Sequence, residues 1–194
     1  VMHISYLAMS AKVKGTNQTL LAKLVVNGVV SSSAANEFLK NIPNAPEEVN
    51  KSRMAAEARF CRSLAYYILM DMFGIPPFIT EENWSIAPSQ LPRTELFTWI
   101  ENELTSIREA LPIARQGEYG RADQAAVDAL LARMYLNATT YIGMERYTDC
   151  IAACNRVIAS GYQLADNYAE LFMADNGENP RANKEIIFPV LFDG

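Results

Sequence analysis

One stretch limits what this chain can become more than any other: residues 54–77, reading MAAEARFCRSLAYYILMDMFGIPP. It closes a helix pattern over residues 47–73 that stops at Gly74 and is followed by Pro76 and Pro77. Proline lacks an amide donor and pushes its predecessor out of the helical region, so the helix does not resume there. The apolar residues wrap most of the circumference, which predicts a central position in the packing. Glu57, Arg59 and Arg62 sit within this oily surface. Charges so placed must pair with each other or with a neighbouring helix, or reach the rim. The stretch holds no metal-ligand set, no nucleophile with a base and no phosphate loop. A chain organised around such a helix is expected to hold things rather than transform them.

Half of the 194 residues are hydrophobic, so a proper core can form. The net charge of −5 comes from interspersed acids and bases. Without a basic stripe to displace counterions from phosphates, nucleic acid is not an expected partner. No run of about 18 apolar residues is present, so no spanning helix is expected. The apolar stretch 4–11 is too short for a signal peptide. The first residue is Val1, and the chain is expected to be processed or partial. Cys61, Cys150 and Cys154 fall on apolar helix stripes and are read as small buried hydrophobes.

The remaining segments read as helix after helix. Residues 1–13 have a mixed, extended-compatible pattern, and 17–30 carry Leu20, Leu21, Leu24 and Val25 on one side. Gly28 and the run Ser31, Ser32, Ser33 weaken that helix. A further helix is predicted over 34–42, ended by Pro43 and Pro46. Past a proline-rich loop, Thr94 is an expected N-cap with Glu95 favourable beside the positive helix end. Leu96, Ile100, Leu104, Ile107 and Leu111 then recur at spacings of 4, 4, 3 and 4, an amphipathic helix ended by Pro112. Residues 122–140 are alanine-rich on one side, and 145–160 place Tyr147, Cys150, Ile151, Cys154, Val157 and Ile158 on one stripe. Gly143 marks the turn between them, and Gly161 the left-handed end of the second. A short helix is expected over 166–173 and a strand over 184–192, with Pro189 forcing an edge or a bulge. A hairpin of about 40 residues built this way is the unit of tetratricopeptide-type solenoids. The expected fold is therefore all-α, with tetratricopeptide-like stacked helical hairpins (an α/α superhelix) and one short C-terminal strand. Two parts are expected: an N-terminal segment over 1–33 and the helical-repeat domain over 34–194.

Chemistry-bearing constellations are sparse. Glu57, Glu101, Glu103, Asp123, Asp128 and Asp149 lie on helices at spacings typical of solvated faces or ion pairs. No Gly-x-Ser-x-Gly occurs, and the single histidine, His3, is a poor base candidate. No catalytic residue, metal ligand or cofactor is therefore assigned. The loop 175–179 has oxygen side chains and Gly177, but lacks the alternating order and distal glutamate of a calcium loop. It reads as a capped polar turn. Trp84, in a loop, is a candidate for stacking on a sugar, whereas Trp99 beside Phe97 reads as core or core edge.

At these residues the chain resembles the SusD/RagB family, the surface glycan-binding lipoproteins of Bacteroidetes. The similarity runs through Glu57-Ala58-Arg59-Phe60, Arg62, Leu64, Tyr66 and Tyr67, then Phe73-Gly74-Ile75-Pro76 and Arg93. It continues through the helix over 100–112, Gly120-Arg121-Ala122 and Leu130-Leu131-Ala132-Arg133-Met134-Tyr135-Leu136. Val157-Ile158, Gly161-Tyr162, Tyr168, Leu171-Phe172 and Glu185-Ile186-Ile187-Phe188 close the ordered set. Residues 1–33 depart from the pattern, with small residues and serines where the family has a helix bearing arginine and tyrosine.

The resemblance implies a non-enzymatic glycan-binding subunit of an outer-membrane uptake complex, exposed at the cell surface. Its partners would be an oligosaccharide or polysaccharide and a SusC-like TonB-dependent transporter, which the helical repeats would face. Membrane attachment would run only through an N-terminal lipid anchor absent from this chain. The chain would be the helical-repeat fragment of a longer protein. The resemblance carries no carbohydrate-binding residue onto this sequence; the matched positions are scaffold. A tetratricopeptide-type scaffold binding proteins or peptides in a helical groove is the alternative, and a glycosidase is least favoured.

Overall fold

The structure, a computed structural model, describes residues 31–83 and 89–189. The expectations for 1–13 and 17–30, Trp84 and the last residues of the expected strand lie outside the described residues. Helix α1 runs through the described residues 31–41, the serine run included, and ends there. A 3-10 turn at Ile42–Asn44 carries Pro43. Helix α2 spans Lys51–Phe73, and Asn50 caps it by accepting the Arg53 amide at 3.0 Å. Residues 47–50 therefore lie outside the helix, where Glu47 instead pairs with Lys51.

Glycine is required at the end of α2. Gly74 has φ +79° and its amide donates to Met70 O at 2.9 Å. A Cβ there would stand 2.7 Å from Arg93 Nη2. The chain then makes a minimal antiparallel pair, β1 (Pro77–Phe78) with β2 (Ser89–Gln90), Pro77 opposite Gln90 and Phe78 opposite Ser89. Helix α3 follows at Arg93–Ile107 and tightens into a 3-10 turn at Arg108–Ala110. Pro92, not Thr94, occupies its N-cap position, without a side-chain cap bond. The fixed φ of Pro92 starts the helix early enough to place Thr94 inside it.

Helix α4 (Gln124–Leu136) is capped by Asp123, whose Oδ1 accepts the Ala126 amide at 2.9 Å. It breaks at Asn137 before the short helix α5 (Ala138–Ile142), which Gly143 ends at φ +69°. Helix α6 (Tyr147–Ile158) runs back along α4. Cys150 lies by Ala132 and Arg156 by Asp128, so the residue numbers rise on one helix as they fall on the other. Helices α2 and α3 are likewise antiparallel, with Arg59 on Glu103 and Tyr66 against Trp99. A 3-10 turn at Tyr168–Phe172 replaces the expected short helix.

The stripe over α3 is fully realised: Leu96, Ile100, Leu104, Ile107 and Leu111 are all buried. They meet Phe60, Tyr66, Leu69 and Met70 of α2 and Val127, Leu130, Leu131 and Met134 of α4. Each such side chain contributes about 1.5–3 kcal/mol when withdrawn from water. Tyr66 is 1 % exposed; its hydroxyl accepts the Ile79 amide at 2.9 Å and donates to Ile79 O at 2.8 Å. It thereby anchors the segment after β1 to α2.

Three expectations are corrected. Residues 184–189 form no strand: Lys184 O takes the Gln163 amide and the Arg115 guanidinium, and the segment turns inward to set Phe188 against Phe60 at 5.0 Å. One backbone bond does not make a ladder, and Pro189 has no amide to extend it. On α6, Cys150 and Ala153 are buried, whereas Ile151 and Ile158 are 61 % and 75 % exposed. The small Ala153 lets α6 approach α4 on that side and turns Ile151 outward. Cys61 is exposed, Cys154 half-buried and Cys150 buried.

Candidate functional site

The charges embedded in α2 form a framework between segments. Arg62 is 2 % exposed, with Nη2 2.7 Å from Glu103 and Nη1 donating to Asn36 of α1 at 2.7 Å and to Glu81. Its guanidinium also lies 5.2 Å from the centre of the Trp99 ring. Arg59 makes a two-pronged contact with Glu103 at 2.6 and 3.1 Å. Desolvation is the largest influence on Glu103 and pushes its pKa up. The hydrogen bonds and charges of Arg59 and Arg62 together outweigh it and hold the carboxyl below its ordinary range. Glu57 pairs with Arg53 at 2.9 Å and with Arg121.

The other carboxylates named from sequence are also engaged. Asp128 is buried between Arg108 at 2.9 Å and Arg156 at 2.6 Å. Glu101 accepts from the Tyr135 hydroxyl at 2.8 Å and from Arg146 at 2.7 Å, and Arg146 reaches Asp149 as well. Asp123 caps α4. The ion pairing read from sequence is realised for Glu57, Glu101, Glu103, Asp128 and Asp149, whereas Asp123 is buried as a cap and hydrogen-bond acceptor, neither on a solvated face nor in an ion pair. Trp99 is half-buried against Tyr66 and Phe78, at the edge of the core. Loop 175–179 is a hydrogen-bonded turn in which Asp175 O accepts the amides of Glu178 and Asn179. Among the described residues, no group of three or more His, Cys, Asp or Glu side chains is gathered as metal ligands would be.

A cavity of about 140 Å³ opens where the loop before α4 meets the segment after α6. Its walls include Arg115, Tyr119, Arg121, Asp123, Tyr162 and Asn183. The sequence reading places Asp123 on a solvated face or in an ion pair and Tyr162 in the scaffold, and it omits Tyr119; the signal for the two tyrosines is a pair of aromatics beside turn glycines. Asp123 organises one side: Oδ2 accepts the Arg115 amide at 3.1 Å and the Tyr162 hydroxyl at 2.8 Å. Arg115 holds a left-handed backbone, φ +61°, and lays its guanidinium 5.3 Å from the centre of the Tyr162 ring. Its Nη1 reaches Lys184 O at 3.0 Å. Burial, then the hydrogen bond to Asp123, raises the Tyr162 pKa. Tyr119 rests over Gly177, where a Cβ would come within 3.3 Å of its ring. Rings and planar polar groups so arranged can hold a small polyhydroxylated or amphipathic molecule.

Antiparallel helix pairs stacked over one core define a tetratricopeptide-type helical repeat. The chain belongs to the SusD-like family: residues 26–136 match the family profile described as starch-binding, associating with outer membrane. It is 46 % identical over 143 residues to the starch-binding protein SusD of Bacteroides thetaiotaomicron, covering 73 % of this chain and 26 % of that protein. It is 31 % identical over 126 residues to SusD-like protein P2 of Formosa agariphila, covering 57 % of this chain and 24 % of that one. A SusD-like crystal structure from Bacteroides fragilis superposes with a TM-score of 0.73 at 26 % identity, over 89 % of this chain and 34 % of that one. A laminarin-binding SusD-like protein superposes with a TM-score of 0.62 at 28 % identity, over 73 % of this chain and 32 % of that one. The chain thus spans about a quarter of the length of the curated relatives it matches.

Proposed function

We propose that this chain is the helical-repeat part of a non-enzymatic glycan-binding protein at the outer-membrane surface. The observation that carries this reading is its 46 % identity, over 73 % of its length, to a protein named for binding starch. In this reading residues 34–194 are the repeat domain and 1–33 a distinct N-terminal segment. The longer protein is lipid-anchored and hands oligosaccharide to a TonB-dependent transporter of the SusC type. The buried ion pairs and stacked helices fit a rigid support whose task is to position binding surfaces.

Affinity electrophoresis of the full-length protein through gels containing starch, laminarin or xyloglucan tests the binding. Retardation by at least one polysaccharide is expected. Migration unaffected by all three, with a peptide ligand captured instead, would support the scaffold alternative. Release of reducing sugar by the pure protein would overturn the non-enzymatic reading. Co-purification from detergent-solubilised outer membranes tests the transporter, whose absence from the eluate would remove it from the scheme.

A further inference from the structure

We infer that the cavity between the 112–123 loop and residues 162–187 is a binding subsite for a single uncharged pyranose unit. This rests on the glycan-binding reading and adds a location to it. The volume, about 140 Å³, is well below the roughly 300–1,000 Å³ of pockets for drug-sized ligands and suits one sugar ring. Two tyrosines line it, and aromatic faces pack against the apolar C–H surface of a pyranose.

The polar groups fall into two sets. One set fixes the walls: Asp123 holds Tyr162 and the Arg115 backbone, and Asn183 Nδ2 donates to Gly177 O at 3.2 Å. The other set remains open among the described residues. The Tyr119 hydroxyl and Asn183 Oδ1 have no hydrogen-bond partner there, and Arg121 Nη1 comes no nearer than 4.0 Å to Glu118. These supply a hydroxyl, an acceptor and a donor, the complement that ring hydroxyls need. The charged lining residues are Arg115 and Arg121 against Glu118 and Asp123, 2 − 2 = 0, which favours a neutral ligand over a phosphate or a uronate. Arg115, a non-glycine residue in the left-handed region, belongs to the strained backbone found where a site is pre-shaped.

The test is calorimetric titration of the full-length protein with maltoheptaose, laminariheptaose and a xyloglucan oligosaccharide. Tyr119→Ala, Tyr119→Phe and Asn183→Ala are titrated with whichever ligand the wild type binds. Loss of one contact set is expected to raise Kd about fivefold to tenfold for Tyr119→Ala and Asn183→Ala. Tyr119→Phe, which keeps the ring and the packing, is expected to raise it about twofold to fivefold. Hydrogen exchange in peptides covering 112–123 is expected to slow when the ligand is added. Wild-type binding with all three variants within twofold and no slowing at 112–123 would overturn the subsite while leaving glycan binding intact. Wild-type failure to bind any of the oligosaccharides, together with unretarded migration in all three polysaccharides, would overturn both.

Discussion

Replacing Glu103 by glutamine removes one charge while keeping nearly the same shape. In the native structure that carboxylate faces two guanidiniums, Arg62 at 2.7 Å and Arg59 at 2.6 Å. Removing one member of a buried ion pair costs about 3–5 kcal/mol, because the remaining charge is left without compensation. Arg62 keeps Asn36 and Glu81, and Arg59 is 30 % exposed and reaches water, so the lower end applies. About 3 kcal/mol is therefore expected, or about 6–12 °C in Tm for a domain of this size. The pH dependence has a definite sign. The folded pKa of Glu103 lies below its unfolded value, so its contribution is fully present above the unfolded pKa and is lost as pH falls through the folded one. The gap between wild type and Glu103→Gln should thus be widest at neutral pH and close in acid. Urea denaturation at pH 7 and across the acidic range measures both. A neutral-pH difference under 0.5 kcal/mol, or a gap that widens on acidification, would refute this account of Arg62.

Other substitutions probe separate features. Tyr66→Phe deletes both hydrogen bonds to Ile79 and orphans its amide, a loss of about 1–3 kcal/mol measurable by chemical denaturation. Gly74→Ala meets both a positive φ and Arg93, so about 1–3 kcal/mol of destabilisation is expected, and a neutral outcome would mean that Arg93 swings away freely. Leu104→Ala, in the buried stripe of α3, should cost about 2–5 kcal/mol. Ile151→Lys in this 194-residue chain should stay within about 0.5 kcal/mol of wild type, since its side chain already meets solvent.

The sequence patterns that read correctly were those with one physical interpretation. The α3 stripe repeats at helical spacing over four turns, and one face can bury it. Gly74 followed by Pro76 and Pro77 leaves a helix no way onward. Helix α6 had two solutions: Tyr147, Ile151, Cys154 and Ile158 form one helical row, and Cys150, Ala153, Cys154 and Val157 another. Size decided between them, because Ala153 permits closer approach than isoleucine, and that depends on the opposing helix. The apolar run Ile186-Ile187-Phe188 satisfies a strand as well as an inward turn, and whether a partner strand lies beside it, as none does among the described residues, is a tertiary fact. The cavity was the least legible feature. Its residues are spread from Arg115 to Ile187, and their meeting depends on Asp123 bonding at once to the Arg115 amide and the Tyr162 hydroxyl.

Oily helix faces alone tolerate sliding, since leucine and isoleucine one turn along offer much the same surface. The clamp of Arg59 and Arg62 on Glu103, with Asn36 and Glu81 at its far side, does not. A slip of one turn, about 5.4 Å, would part both arginines from Glu103 and leave Arg62 in the interior with one carboxylate, Glu81, in place of two. The arginine therefore acts as an index pin between α2 and α3: it adds little to the depth of the energy well and much to the uniqueness of its position.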